Sequence, residues 1–382
     1  MIKTSILTDA LGSVCAMVVC TSVAIAQDLP DTEEAASALR SSITPDVRGE
    51  ELKLKIEKGS FVVVPIPISD PTLGTALVLG AAYFYGQSEE QKKSQPASLT
   101  AGGAMYSNTD SFAAVIAQEN YWHEDKWRFL GAAGYANLNL ELLAPDESGS
   151  GTSVDWLLDG GFLYAHLARK ITGRWYLGVF ARSVALDQAF KVSLSPSDFD
   201  LGDARISNGL GTFFGRDSRD VPTNAYKGSY FSIKGLFNHP TFGSDNEYQS
   251  YSAEFDSYHE MSNRLVLAWQ VAACYKSGNI PLWDTCRVGL RGFAATDYLG
   301  KASAHAQFEA RWRMSQRWGV VGFAGGGYMD SSFSGVDDND IIPSYGVGLR
   351  FMVLKSKRIN MRLDYGRSND SDAVHLSVGE AF

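Results

Sequence analysis

Several things are scarce or missing in this 382-residue chain. Beyond the N-terminus there is no run of about 18 apolar residues, the length a membrane-spanning helix needs. Basic runs and basic-aromatic patches are absent, and the net charge is -9, from 34 Lys+Arg against 43 Asp+Glu. Nucleic acid is therefore not an expected partner. Histidine is limited to six scattered residues, and His259-Glu260 is not followed by the second histidine of a zinc-protease helix. No metal site is expected. Ser, Asp and His fall in no triad arrangement, and Gly209-Leu210-Gly211 with Gly215 has the wrong spacing for a dinucleotide loop. The chain offers no catalytic residue and no cofactor motif, so it is not read as an enzyme.

Cysteine is also rare, with four in all. The N-terminus reads as an export signal (1–26): Lys3, an apolar stretch from Leu11 to Ala26, and Ala24-Ile25-Ala26 before Gln27. Cys20 fits that signal better than a lipoprotein site, since Met17-Val18-Val19 precedes it and Thr21 follows. Beyond the signal only Cys274 and Cys286 remain. An exported protein meets an oxidising compartment, so the two form either a disulfide or a pair of free thiols. Residues 27–58 are polar, without clear period, and too few for an ordinary domain.

What the chain does have, from Ser60 onward, is alternation. In Ala304–Met314 the even positions are Ala, Ala, Phe, Ala, Trp and Met, and the odd ones His305, Gln307, Glu309, Arg311 and Arg313. A strand separates those two sets onto opposite faces, and a helix scrambles them. Tyr345–Val353, Ile359–Tyr365 and Leu265–Ala273 repeat the pattern. Counting such segments gives about sixteen strands, from 60–68 and 72–86 to 359–369 and 372–382. Turns near 123–125, 172–174 and 262–263 are tight; connections near 87–95, 145–152, 191–203, 279–301 and 332–342 are long. An even count, with short turns on one side and long loops on the other, predicts an all-β fold over 59–382. The expected form is a transmembrane antiparallel β-barrel in the bacterial outer membrane. The charged face needs a watery lumen and the aromatic-aliphatic face needs outer-membrane lipid, whereas a soluble barrel would fill its lumen with apolar side chains.

Particular motifs sharpen this. Gly209–Asp220 (GLGTFFGRDSRD), then Pro222 and Tyr226-Lys227-Gly228-Ser229, resembles a strand-turn element of the BamA/TamA-like bacterial surface antigen family of outer-membrane assembly barrels. Its key residues here are Asp217, Arg219, Asp220 and Gly228. Leu290-Arg291-Gly292-Phe293 resembles the family's loop motif and lies in the 279–301 connection between the eleventh and twelfth strands. The chain also ends in Phe382. The resemblance spans roughly 60–382 and implies a loop folded into the lumen, with Arg291 held by Glu309 on the next strand. The alternative is an ordinary lumenal Arg–Glu pair. A second carboxylate, expected on the following strand, is missing: Phe323-Ala324-Gly325-Gly326-Gly327 has Gly325 in its place. Residues 27–58 are too short for the family's periplasmic POTRA domains.

Pro65 and Pro67, two apart on the first strand, remove two N–H donors from one of its edges. If that edge meets the last strand, near Gly379 and Phe382, pairing there is weak and a lateral seam results. A short strand end with little pairing to lose is the other reading. The resemblance implies a monomeric barrel that inserts or moves proteins at the outer membrane without POTRA domains. Its partners would be unfolded outer-membrane proteins or periplasmic proteins. A passive pore or structural barrel is the rival.

Overall fold

The computed structural model describes residues 59–144, 152–192, 199–200, 205–330, 341–355, 358–369 and 371–382. The expected signal (1–26) and the 27–58 segment lie outside those residues. Among the described residues sixteen antiparallel strands form a closed wall. The first four are β1 (Ser60–Asp70), β2 (Gly74–Phe84), β3 (Leu99–Ser107) and β4 (Phe112–Trp122). Three long strands follow: β5 (Trp127–Ala144), β6 (Thr152–Thr172) and β7 (Trp175–Val192). Next come β8 (Arg205–Asp217), β9 (Gly228–Asn238), β10 (Tyr248–Ser262) and β11 (Leu265–Gly278). The wall ends with β12 (Ala302–Arg313), β13 (Trp318–Met329), β14 (Ile342–Leu354), β15 (Ile359–Ser368) and β16 (Ser371–Val378). Each strand pairs with its sequence neighbour, and β16 returns to β1.

Alternation sorts the side chains as the pattern requires. On β12, Phe308 and Trp312 face outward, while Gln307, Glu309 and Arg311 are buried inside. On β14, Tyr345, Val347, Leu349 and Val353 form a bare apolar outer row. Such a wall is tolerable only if lipid covers it. Trp122, Trp312 and Trp318 lie exposed near the tight-turn rim, the periplasmic side in barrels of this kind. Exposed Tyr106, Tyr275 and Tyr328 stand near the opposite rim.

Three expectations need correction. The 87–95 connection, grouped with the long outer loops by length, opens on the tight-turn rim, because strand direction and not loop length decides the side. Six of its own residues form a helix, Glu89–Ser94, opened by a Ser88–Gln91 capping box. The last strand stops at Val378 instead of running to 382, since Gly379 turns the chain with φ +97°. The lumen, expected to be watery, is polar on one side only. The inner face of β1–β7 is largely apolar (Val78, Phe84, Leu99, Met105, Leu138, Trp156 and Leu186 among others), and Leu282 and Trp283 of the long loop pack into it.

Leu79 lies mid-strand on β2 and is 56% exposed on the outer wall. Leu79→Lys should destabilise the barrel in vesicles by about 2–4 kcal/mol, as a charge at bilayer midplane does. Equilibrium unfolding in lipid vesicles checks this, and a negligible change would mean that lipid does not cover this face.

Candidate functional site

The 279–301 loop is the site's organising element. At its neck Cys286–Arg287 pairs with Leu299–Gly300 in a short ladder, and Cys274 is disulfide-bonded to Cys286, with Cα atoms 5.7 Å apart. Below the neck Asp284 is buried among three partners from three strands. Arg182 Nη2 of β7 lies 2.5 Å away, Lys276 Nζ of β11 2.8 Å, and the Tyr248 hydroxyl of β10 donates at 2.5 Å. Burial alone would raise the Asp284 carboxyl. The charges of Arg182 and Lys276, and their hydrogen bonds, outweigh it and hold the group well below the ordinary carboxylate range. Neither Asp284 nor its partners stood out in the sequence, because nothing local to residue 284 marks it as facing β7.

The loop tip then crosses the polar half of the lumen. Arg291 Nη2 lies 2.6 Å from Glu309 Oε1. Its Nη1 donates to Asp364 Oδ2 at 2.9 Å, and its guanidinium lies over the Phe323 ring, 3.5 Å from the centroid. The second carboxylate is therefore present after all. It comes from β15, two strands beyond the glycine at 325, because the loop reaches past β13. Asp364 was legible as an inward position of Ile359–Tyr365, but spacing on β13 directed attention elsewhere. Gly292 follows with φ +106°, and a Cβ there would meet the Arg367 backbone at 2.7 Å. Only glycine lets the tip lie against β15. Leu290 and Phe293 pack with Val288, Met329 and Ile342.

The strand-turn element lies apart from this lock, on the tight-turn rim. Arg219 grips Asp217 at 2.8 Å, and Asp220 accepts from the Tyr226 N–H at 2.9 Å. Gly228, at φ +100°, lets the strand restart against Ser218. Asp220 also pairs with Arg358 at 2.5 Å, and Arg358 lies over Tyr226, 3.9 Å from the ring centroid. The 218–227 connection thus reaches from β8–β9 to the β14–β15 turn and crosses the mouth.

At the closure, Ser69 opposite Leu376 is the one register pair between β1 and β16, against eleven between β1 and β2. The carbonyl of Thr75 accepts from Asn108 on the β3 side, so even residues of β2 turn to β1. Their partners are Val64, Ile66 and Ile68, which leaves Pro65, Pro67 and Ser69 facing β16. Neither proline has an N–H to offer there. Side chains span the gap instead: His375 Nδ1 lies 3.2 Å from Asp70 Oδ2. The loop touches both flanks, since the Ala295 N–H donates to Thr72 Oγ1 (2.9 Å) and Ser371 Oγ donates to the Gly292 carbonyl (3.0 Å). Gly379 and Phe382, expected along the seam, leave it: the turn at 379 carries Phe382 into the lumen beside Tyr258.

The Omp85 superfamily domain matches residues 183–382. No curated protein matches the chain in sequence. Three solved barrels are similar in fold. BamA from Haemophilus ducreyi lacking POTRA domains 1–3 is 15% identical with a TM-score of 0.54, over 86% of this chain and 70% of that one. CdiB from Acinetobacter baumannii is 10% identical with a TM-score of 0.56, over 86% and 60%. CdiB from Escherichia coli is 11% identical with a TM-score of 0.55, over 92% and 75%.

Two outcomes follow for the loop. Arg291→Ala leaves two buried carboxylates short of a cation, and breaking such pairs costs about 3–5 kcal/mol. The outer loop should become protease-sensitive while the barrel still shows heat-modifiable migration. Asp284 has its folded pKa below the unfolded value, so its contribution is complete above the unfolded pKa of about 4 and fades progressively from there as pH falls through the folded one. Loop protection should therefore hold from pH 7 to about 4.5 in the native barrel. Asp284→Asn should weaken it throughout that range.

Proposed function

This chain belongs to the Omp85 superfamily and is a barrel of the bacterial outer membrane, and from that premise we propose that it inserts or translocates proteins there without covalent chemistry. The observation that supports this most is the β1–β16 closure: one register pair, with two prolines facing the partner strand. A strand edge that lacks its neighbour presents unpaired N–H and C=O groups, which an incoming strand can satisfy. The barrel therefore has a built-in place where a client strand can add, with lipid on one side and the lumen on the other. Arg291, Glu309 and Asp364 hold the loop that bridges both flanks of that place. Unfolded outer-membrane proteins fit as clients, because their strands carry the matching backbone groups. A periplasmic protein could deliver them at the tight-turn rim.

The passive-pore alternative fits less well. The loop crosses the lumen and packs against both halves of it, and the 218–227 connection spans the mouth. An open water channel has no use for either feature.

Reconstituted into phospholipid vesicles, the chain should speed insertion of a urea-unfolded outer-membrane barrel protein several-fold over empty vesicles, read by gel migration. A disulfide between Ser69→Cys and Leu376→Cys should remove that gain, while Ser69→Cys alone keeps it. Pro65→Val with Pro67→Val, which returns two donors to the seam, should slow insertion. Equal rates with and without the chain, or steady large unitary currents in a planar bilayer, would overturn the reading.

A further inference from the structure

Glu380 is not where β16 would put it. Along this strand Ala373 and Ser377 are buried inside and Val374 faces out. Continued alternation would send residue 380 toward lipid. The turn at Gly379 (φ +97°), whose N–H donates to the Asn360 carbonyl at 2.7 Å, carries it inward instead. There it closes a ring. Arg291 contacts Glu309 (2.6 Å), Glu309 contacts Arg311 (2.7 Å), and Arg311 contacts Glu380 (4.0 Å). Glu380 contacts Arg350 (2.8 Å), Arg350 contacts Asp364, and Asp364 returns to Arg291 (2.9 Å). Charge alternates at each step, and no member's side chain is more than 7% exposed.

We propose that Glu380 is a positioning residue for the loop tip: through this ring, the segment after β16 latches the Arg291 lock, so that the end of the seam strand and the loop hold or release together. Two members of the ring come from outside the wall, Arg291 from the loop and Glu380 from this segment. The other four sit on β12, β14 and β15 and relay between them. Arg362, 3.6 Å from Asp364, adds a fourth cation to three carboxylates. Without Glu380, two carboxylates would serve four guanidiniums. Arg311 and Arg350 would then draw on Glu309 and Asp364, the two groups that hold Arg291. The segment is itself well fixed. Asn360 Nδ2 donates to Glu380 Oε1 at 2.6 Å, Arg311 Nη2 donates to the Phe382 carbonyl at 3.0 Å, and the Phe382 ring lies 6.3 Å from that of Tyr258. Coupling of this kind is reciprocal: peeling β16 from the seam draws Glu380 out and frees the loop, and freeing the loop loosens Glu380.

The test reads the loop tip from outside. In the full chain in vesicles, Ala295→Cys is labelled with a membrane-impermeant maleimide; Cys274 and Cys286 are already bonded to each other and stay silent. Glu380→Gln keeps size and hydrogen-bonding but drops the charge, and should raise the labelling rate about tenfold, an ordinary coupling strength. Glu380→Asp should restore part of the protection. Glu260→Gln, which removes a rim carboxylate that pairs with Arg313 and Lys227 outside the ring, should leave the rate unchanged. Combining Glu380→Gln with Arg291→Lys should add little to the faster single variant, because both break one unit. An unchanged rate in Glu380→Gln beside a raised one in Arg291→Lys overturns the latch, as does a multiplicative double variant. If Glu380→Gln fails to assemble, hydrogen exchange on the native barrel decides. Amides of 289–297 and 376–380 that open in one step support the latch, and independent opening overturns it.

Discussion

A sheet in hydrocarbon cannot leave its edges open, because every unpaired N–H or C=O there costs several kcal/mol with no water to satisfy it. Closure of β1 onto β16 is therefore the condition on which the rest of this barrel depends. Fifteen of the sixteen junctions meet it with ladders of eight or more register pairs; the sixteenth meets it with one. Two prolines facing that junction ensure that backbone alone cannot do better. What the ladder lacks is supplied by side chains and by the loop. His375 and Asp70 meet across the gap, and the loop tip reaches Thr72 on one flank and Ser371 on the other. The weak junction is held by contacts that can be broken one at a time, unlike a cooperative ladder.

That arrangement explains why the lumen is divided. A loop that must bridge the seam has to be rigid, and rigidity needs two kinds of purchase. Its base is fixed by burial: Leu282 and Trp283 sink into the apolar face of β1–β7, with Asp284 satisfied from β7, β10 and β11. Apolar packing is strong but permits sliding, whereas charge pairing fixes position. The tip is placed by charge, on Glu309 and Asp364. Buried ions add little net stability, since desolvation offsets most of the attraction, but a missing partner is very costly. The lock is thus better suited to specifying one loop position than to strengthening the barrel.

Much of this was legible in the residues. Apolar-rich segments between polar connections marked all sixteen wall strands, and in strands such as β12 lipid on one face and charge on the other leave a regular trace. Arg291 and Glu309 were legible through a motif and a register. Asp364 was missed because its partner approaches over β13, and no spacing within one strand records which distant loop arrives there. Asp284 was missed for the same reason. The apolar half of the lumen was misread since an inward Val78 and an outward Leu79 look alike in sequence. Where both faces are greasy, alternation carries no sign of which side is lipid.

Glu380 marks the boundary of that method most sharply. Alternation is a rule about extended backbone, and one residue at positive φ suspends it. Read as strand, residues 379–382 would place a carboxylate against lipid, a costly position for an ion. That cost was itself a signal, since an acidic residue on the greasy parity of a terminal strand, directly after a glycine, points to a turn. The same glycine that ends the ladder early leaves β16 with less pairing to lose and turns its last residues toward the arginines. Weak closure and inward charge thus share one origin at Gly379, so the strand that is easiest to displace is also the one whose displacement the lumen can sense.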